Sequence, residues 1–205
     1  MTKIKICGLT RLQDVEAVNE AQPDYIGFVF AQSRRNIDTK LAEKMKSLLD
    51  KKILAVGVFV NAEPSKIIEL CKNNIIDIIQ LHGEEDAEYI TALRSKVPNT
   101  IIKAIRVQNS KQISTAQSLP CDYLLLDTYR KGVYGGSGES FDHSLIPKVK
   151  KPYFLAGGLN SENIKTAIGE CHPYCVDISS GVETGGIKDK EKIKEIIKII
   201  RSESI

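Results

Sequence analysis

Hydrophobic residues along this chain fall into short, nearly continuous runs separated by longer stretches of helical period. Runs of strand character begin with Lys3-Ile4-Lys5-Ile6-Cys7 and recur over residues 25–30, 53–60, 78–82, 100–107, 123–127, 153–157 and 175–181, eight in all. Between them, Leu41, Met45, Leu48 and Leu49 fall on one helical face, as do Ile193, Ile196, Ile197 and Ile200. Ile164, Ala167 and Ile168 repeat that spacing after a cap at Asn160 or Ser161, and Pro64 suits a first helical turn that Asn73-Asn74 would end. Thr10-Arg11-Leu12-Gln13 has the T-x-x-Q form of a capping box, with Thr10 as N-cap. Residues 109–119 carry a thin apolar stripe among Gln, Ser and Thr, so helix five is expected to be short or irregular. Eight near-continuous apolar strands with crossovers predict an α/β fold whose parallel sheet is buried on both faces. The expected architecture is a single (β/α)8 TIM barrel over residues 1–205, parallel and eight-stranded. An open doubly wound sheet is the rival, but the first turn lacks G-x-G-x-x-G.

Composition narrows the function without choosing it. At 205 residues, 42% hydrophobic and 27% charged, the chain has the make-up of a soluble protein with one well-buried core. A net charge of +3, spread along the chain, argues against nucleic acid and suits a small anionic substrate. The five cysteines, an odd number with no signal peptide ahead of them, read as reduced thiols in a cytoplasm. No apolar run approaches the roughly 18 residues of a membrane span. Cys171-His172-Pro173-Tyr174-Cys175 has poor spacing for zinc and no second ligand pair, so no metal site is expected.

In a barrel of parallel strands, chemistry sits at the C-terminal strand tips. The tips collect Cys7; Ser33-Arg34-Arg35; Asn61; Gln80-Leu81-His82-Gly83; Arg106; Asp127-Thr128 followed by Gly135-Gly136-Ser137-Gly138; Gly157-Gly158; and Asp177 through Glu183. Each has a plain reading. A lone cysteine is often apolar filler, an aspartate at a strand end is often a cap, paired arginines are often solvated, and His82 could be a satisfied core histidine. Glycine-rich ends on both of the last two strands are more telling, because freed backbone N–H groups there make an anion site.

Taken together, these motifs resemble the phosphoribosylanthranilate isomerase family of tryptophan biosynthesis. The resemblance runs through Lys3-Ile4-Lys5-Ile6-Cys7-Gly8-Leu9-Thr10, Gly27-Phe28-Val29-Phe30, Gly57-Val58-Phe59-Val60, Gln80-Leu81-His82-Gly83, Leu126-Asp127-Thr128, Leu155-Ala156-Gly157-Gly158-Leu159 and Asp177-Ile178-Ser179-Ser180-Gly181-Val182-Glu183. Departures stand at Arg34, His143 and Gly185 or Gly186, where the family often has proline, tryptophan and proline. The family reaction is an Amadori rearrangement of N-(5-phosphoribosyl)anthranilate to 1-(2-carboxyphenylamino)-1-deoxyribulose 5-phosphate. The resemblance implies Cys7 as general base and Asp127 as general acid, with a thiolate favoured by the start of helix one and an acid kept protonated. It further implies Arg35 at the anthranilate carboxylate, with Arg34 a solvent-facing neighbour. Gly157, Gly158, Ser180 and Gly181 would hold the phosphate. His82, Asp177 and Gly136 are pocket candidates, and loop 134–138 is a candidate lid. The iminium intermediate is its own electron sink, so neither metal nor organic cofactor is implied. The expected partner is a phosphorylated small molecule, and a monomer is the default. The rivals are a histidine-pathway isomerase, whose acid–base pair is two aspartates, and a non-catalytic phosphate-binding barrel.

Overall fold

The computed structural model describes residues 1–128 and 143–202. Eight parallel strands close into a barrel in sequence order: β1 (Lys3–Cys7), β2 (Tyr25–Val29), β3 (Leu54–Phe59), β4 (Ile78–Leu81), β5 (Thr100–Val107), β6 (Tyr123–Thr128), β7 (Tyr153–Leu155) and β8 (Cys175–Ile178). Helices α1 (Leu12–Ala21), α2 (Thr39–Leu48), α3 (Pro64–Lys72), α4 (Ala87–Arg94), α5 (Ser110–Ala116), α6 (Ile164–Cys171) and α7 (Lys190–Ser202) surround it. Between β6 and β7 the described residues hold only a 3₁₀ turn, His143–Leu145. After β8, a 3₁₀ turn (Ser180–Val182) leads into a small antiparallel hairpin of β9 (Glu183–Thr184) and β10 (Ile187–Lys188).

Apolar side chains pack in two places. A large cluster that includes Ile4, Ile6, Ile26, Phe28, Leu124, Leu126, Ile193 and Ile197 fills the space between barrel and helices. A smaller one, with Tyr25, Val56, Ile102, Leu125, Phe154 and Cys175, belongs to the opposite strand faces and fills the lumen. Every strand is therefore buried on both sides, which is why the sequence shows runs more than alternation.

Local signals were realised unevenly. The apolar stripe of α7 is fully buried, and Pro64 opens α3, with Asn73 as C-cap and Asn74 in the left-handed region. Met45 in α2 and Leu49 at its C-cap are buried but Leu48 is exposed, so the face is narrower than its spacing suggested. Thr10 is not the N-cap of α1. Arg11 takes that place, and the Asp14 carboxylate accepts the Thr10 and Arg11 amides at 2.8 and 3.0 Å. A charged acceptor that also binds the Arg11 guanidinium outcompetes a hydroxyl and an uncharged amide. In α6 the N-cap is Asn163; Asn160 acts a turn earlier, its side chain accepting the Glu162 amide. Helix α5 is short but regular, closed by a capping box between Asn109 and Gln112.

Candidate active site

The alternation along each strand sends one set of side chains into the lumen, and near the C-terminal tips that set turns polar. Cys7, Gln80, His82, Asp127, Asp177 and Ser179 meet there, floored by Val29, Val58 and Ala156. Together with the loops after β2, β7 and β8 they enclose a cavity of about 720 Å³. Cys7 and Asp127, 120 positions apart in the chain, face the same space. Gly27 lies opposite Cys7 in the β1–β2 register, and a Cβ there would stand 2.6 Å from the sulfur, so the glycine makes room for the thiol.

Charges around Cys7 are arranged in two buried groups. Below it, Lys5 is fully buried and donates to Asp177 Oδ2 at 2.8 Å and Gln80 Oε1 at 2.9 Å. Burial alone would depress the Lys5 ammonium, but the Asp177 carboxylate and the nearby Cys7 sulfur hold its pKa above the ordinary value. Beside Cys7, Lys188 donates to Glu183 Oε1 at 2.7 Å and to the Ser179 carbonyl at 2.9 Å. Burial pushes the Lys188 ammonium down, against the pull of Glu183 and Cys7.

The Cys7 thiol itself is pushed up by burial; Lys5 pulls it down, Asp177 pushes it up again and Lys188 pulls it down. The start of helix one does not supply the stabilisation expected of it. Helix α1 begins only at Leu12, and Asp14 already occupies the amides at that end. The two lysines are the cations that matter.

Asp127 is buried; Oδ1 accepts the Thr128 N–H at 2.8 Å, and Oδ2 lies 3.2 Å from His82 Nε2. Arg35 is nearly buried and forks onto Glu183, Nε to Oε1 at 2.7 Å and Nη2 to Oε2 at 3.0 Å. Arg34 is not merely a solvated neighbour. Its guanidinium reaches Glu183 Oε2 at 2.8 Å while its side chain stays more than half exposed. The reason is that one buried carboxylate can serve both arginines and Lys188 together.

Gly157, Gly158 and Ser180 line the cavity, and both glycines have positive φ, 90° and 62°. Gly181 sits just behind, where a Cβ would lie 2.0 Å from the Leu159 carbonyl. Gly136 and loop 134–138 lie outside the described residues. Of the site's polar groups, Lys5 and Lys188 were not among the strand-tip candidates of the sequence, and Gln80 and Glu183 stood there without a role. The available signals were a lysine inside an otherwise apolar strand and the Gly185-Gly186 pair that turns the hairpin.

The family model for N-(5'phosphoribosyl)anthranilate (PRA) isomerase matches residues 4–199. The chain belongs to this family. Among relatives bearing the name N-(5'-phosphoribosyl)anthranilate isomerase, that of Endomicrobium trichonymphae is 50% identical over 98% of this chain and 100% of its own. That of Lachnoclostridium phytofermentans is 46% identical over 95% of each. The phosphoribosyl anthranilate isomerase structure from Thermotoga maritima superposes with a TM-score of 0.89 at 37% identity, covering 98% of this chain and 100% of that one. A further isomerase structure, with a TM-score of 0.82, 34% identity and coverage of 98% and 100%, holds reduced 1-(o-carboxyphenylamino)-1-deoxyribulose 5-phosphate. As a phosphoribosylanthranilate isomerase, the chain is an aldose–ketose isomerase of tryptophan biosynthesis. Among the described residues, no helix of this isomerase is long and apolar enough to cross a membrane.

Proposed function

We propose that in this isomerase Asp127 is the general acid and Cys7 the general base of the rearrangement, working from opposite walls of one cavity. Asp127 gives its proton to the furanose ring oxygen, the C1′–O bond breaks, and the nitrogen lone pair forms an iminium. The Cys7 thiolate then takes the proton from C2′, and that electron pair flows into the iminium to give an enolamine. Proton return to C1′ and loss of the C2′ hydroxyl proton complete the aminoketose, with no net change in atoms or electrons. The new iminium is a cation beside Cys7, so the ring opening itself favours the thiolate that the next step needs.

Arg35, braced by Glu183, meets the anthranilate carboxylate with the guanidinium edge it does not spend on Glu183. The phosphate rests on the backbone amides around Gly157, Gly158, Ser180 and Gly181. One barrel domain over residues 1–205 carries all of these groups on a single copy, which supports activity as a monomer. The observation that carries the reading is the convergence of Cys7 and Asp127 on the same cavity. Fluorescence loss of phosphoribosylanthranilate tests it: Cys7→Ala and Asp127→Asn should each lower kcat at least about 100-fold, as acid–base roles require. Turnover near that of the unaltered enzyme in either variant would reassign that role.

A further inference from the structure

His82 lines the cavity, and the rearrangement above gives its ring nitrogens no role. It is buried against the cavity, and its Nε2 has no hydrogen-bond partner among the described residues. Asp127 Oδ2 is 3.2 Å away, but not in line for a bond. The other ring nitrogen, Nδ1, faces Gln80 Nε2 at 2.9 Å, and Gln80 Oε1 in turn faces Lys5 Nζ at 2.9 Å.

Donor and acceptor chemistry fixes the direction of this chain. An ammonium has three donors and no lone pair, so the Gln80 atom opposite Lys5 has to be its carbonyl oxygen. The Gln80 NH2 group then points at His82 Nδ1, and an amide NH2 only donates. Nδ1 must therefore present its lone pair, and the ring's single proton sits on Nε2. The other end of the chain has the complementary feature: Lys5 holds Asp177 Oδ2, leaving Asp177 Oδ1 a buried acceptor without a partner on the same cavity.

We propose that Gln80, held by Lys5, is a positioning residue that locks His82 as its neutral Nε2–H tautomer, so that the cavity presents a hydrogen-bond donor beside Asp127 to an oxygen of the sugar. Lys5, through its two bonds, thus orients a donor at one end of the cavity floor and an acceptor at the other. The part played in turnover rests on the assignment of Asp127 as the acid; the tautomer does not.

Long-range 1H–15N correlation spectra of the free enzyme at neutral pH read the tautomer directly. The unaltered enzyme should show His82 protonated at Nε2 and bare at Nδ1. In Gln80→Glu a carboxylate replaces the NH2 group, drawing a proton to Nδ1, and kcat/KM should fall at least about tenfold with the change in donor pattern. Gln80→Met, of similar length but with neither donor nor acceptor, should give a mixture of both tautomers. His82 bare at Nε2 or doubly protonated in the unaltered enzyme overturns the lock. So does a Gln80→Glu variant that keeps either the original ring signature or the original turnover. Normal turnover in Asp127→Asn with the expected His82 spectra would unseat the acid assignment and leave the lock standing.

Discussion

In the proposed mechanism Cys7 has to be ionised before it can accept a proton from C2′, and in the free enzyme its surroundings oppose this. Burial raises the thiol, and Asp177 adds to that, while Lys5 and Lys188 offset only part of it. A base works only when deprotonated, so a raised pKa moves the rising limb of activity toward alkaline pH. In Asp127→Asn, where no carboxyl acid titrates on the alkaline side, the residual kcat/KM should therefore still be climbing through the ordinary thiol value of about 8.5. A plateau reached well below that pH would mean that the thiolate is already formed at neutrality. Arg34 and Arg35 differ at the same scale. Arg35 is nearly buried and bound through two donors; Arg34 is mostly exposed and bound through one. Arg35→Met should raise KM or cut kcat/KM by at least about tenfold, whereas Arg34→Met should change either by less than about threefold, as expected for an exposed pair. Steady-state kinetics with the reverse ranking would shift the carboxylate contact to Arg34.

The hairpin of β9 and β10 is an element the apolar pattern did not show, because strands of two residues are too short to display a period. Its importance lies in what it carries. Glu183 at its start and Lys188 at its end face each other, and together with Arg35 they tie the loop after β2 to the loop after β8. Burial would raise the Glu183 carboxyl, but Arg35 and Lys188 hold it below the ordinary glutamate value. Replacing Glu183 by Gln leaves a buried ammonium without its counter-charge and should cost about 3 kcal/mol in urea unfolding. The sign with pH follows. A carboxyl depressed in the folded state stabilises above its unfolded pKa, and that stabilisation fades as pH falls through the folded value. The gap between the unaltered enzyme and Glu183→Gln should thus be full above about pH 4.3 and shrink below it. A gap that is constant with pH would show that the loss comes from packing alone.

At the scale of the whole molecule, closure of the barrel buries charge between its first and last strands. Lys5 and Asp177 are a buried ion pair in adjacent strands, and breaking such a pair by removing one charge costs about 3–5 kcal/mol. Lys5→Met should show that loss in thermal unfolding, and Lys5→Met combined with Asp177→Leu should regain most of it while turnover stays depressed. A double variant as unstable as the single one would mean that the pair serves the fold more than the site. The sequence by itself determined the eight strands, most of the helical faces, the closed parallel sheet and the strand-tip position of Cys7, Asp127 and the glycine pairs. Those features follow from local periodicity and from the shortness of the links, which are properties of neighbouring residues. It did not determine which face of the first strand turns inward. Lys3-Ile4-Lys5-Ile6-Cys7 alternates equally well either way, so nothing in the strand itself sends Lys5 and not Ile4 and Ile6 into the lumen. Only barrel closure decides it. Once helices cover the outer face, Ile4 and Ile6 pack against them, and Lys5 is left in the lumen, where Asp177 and Gln80 arrive from strands distant in sequence. Charge pairing across the barrel is a contact between remote segments, and no local pattern encodes it.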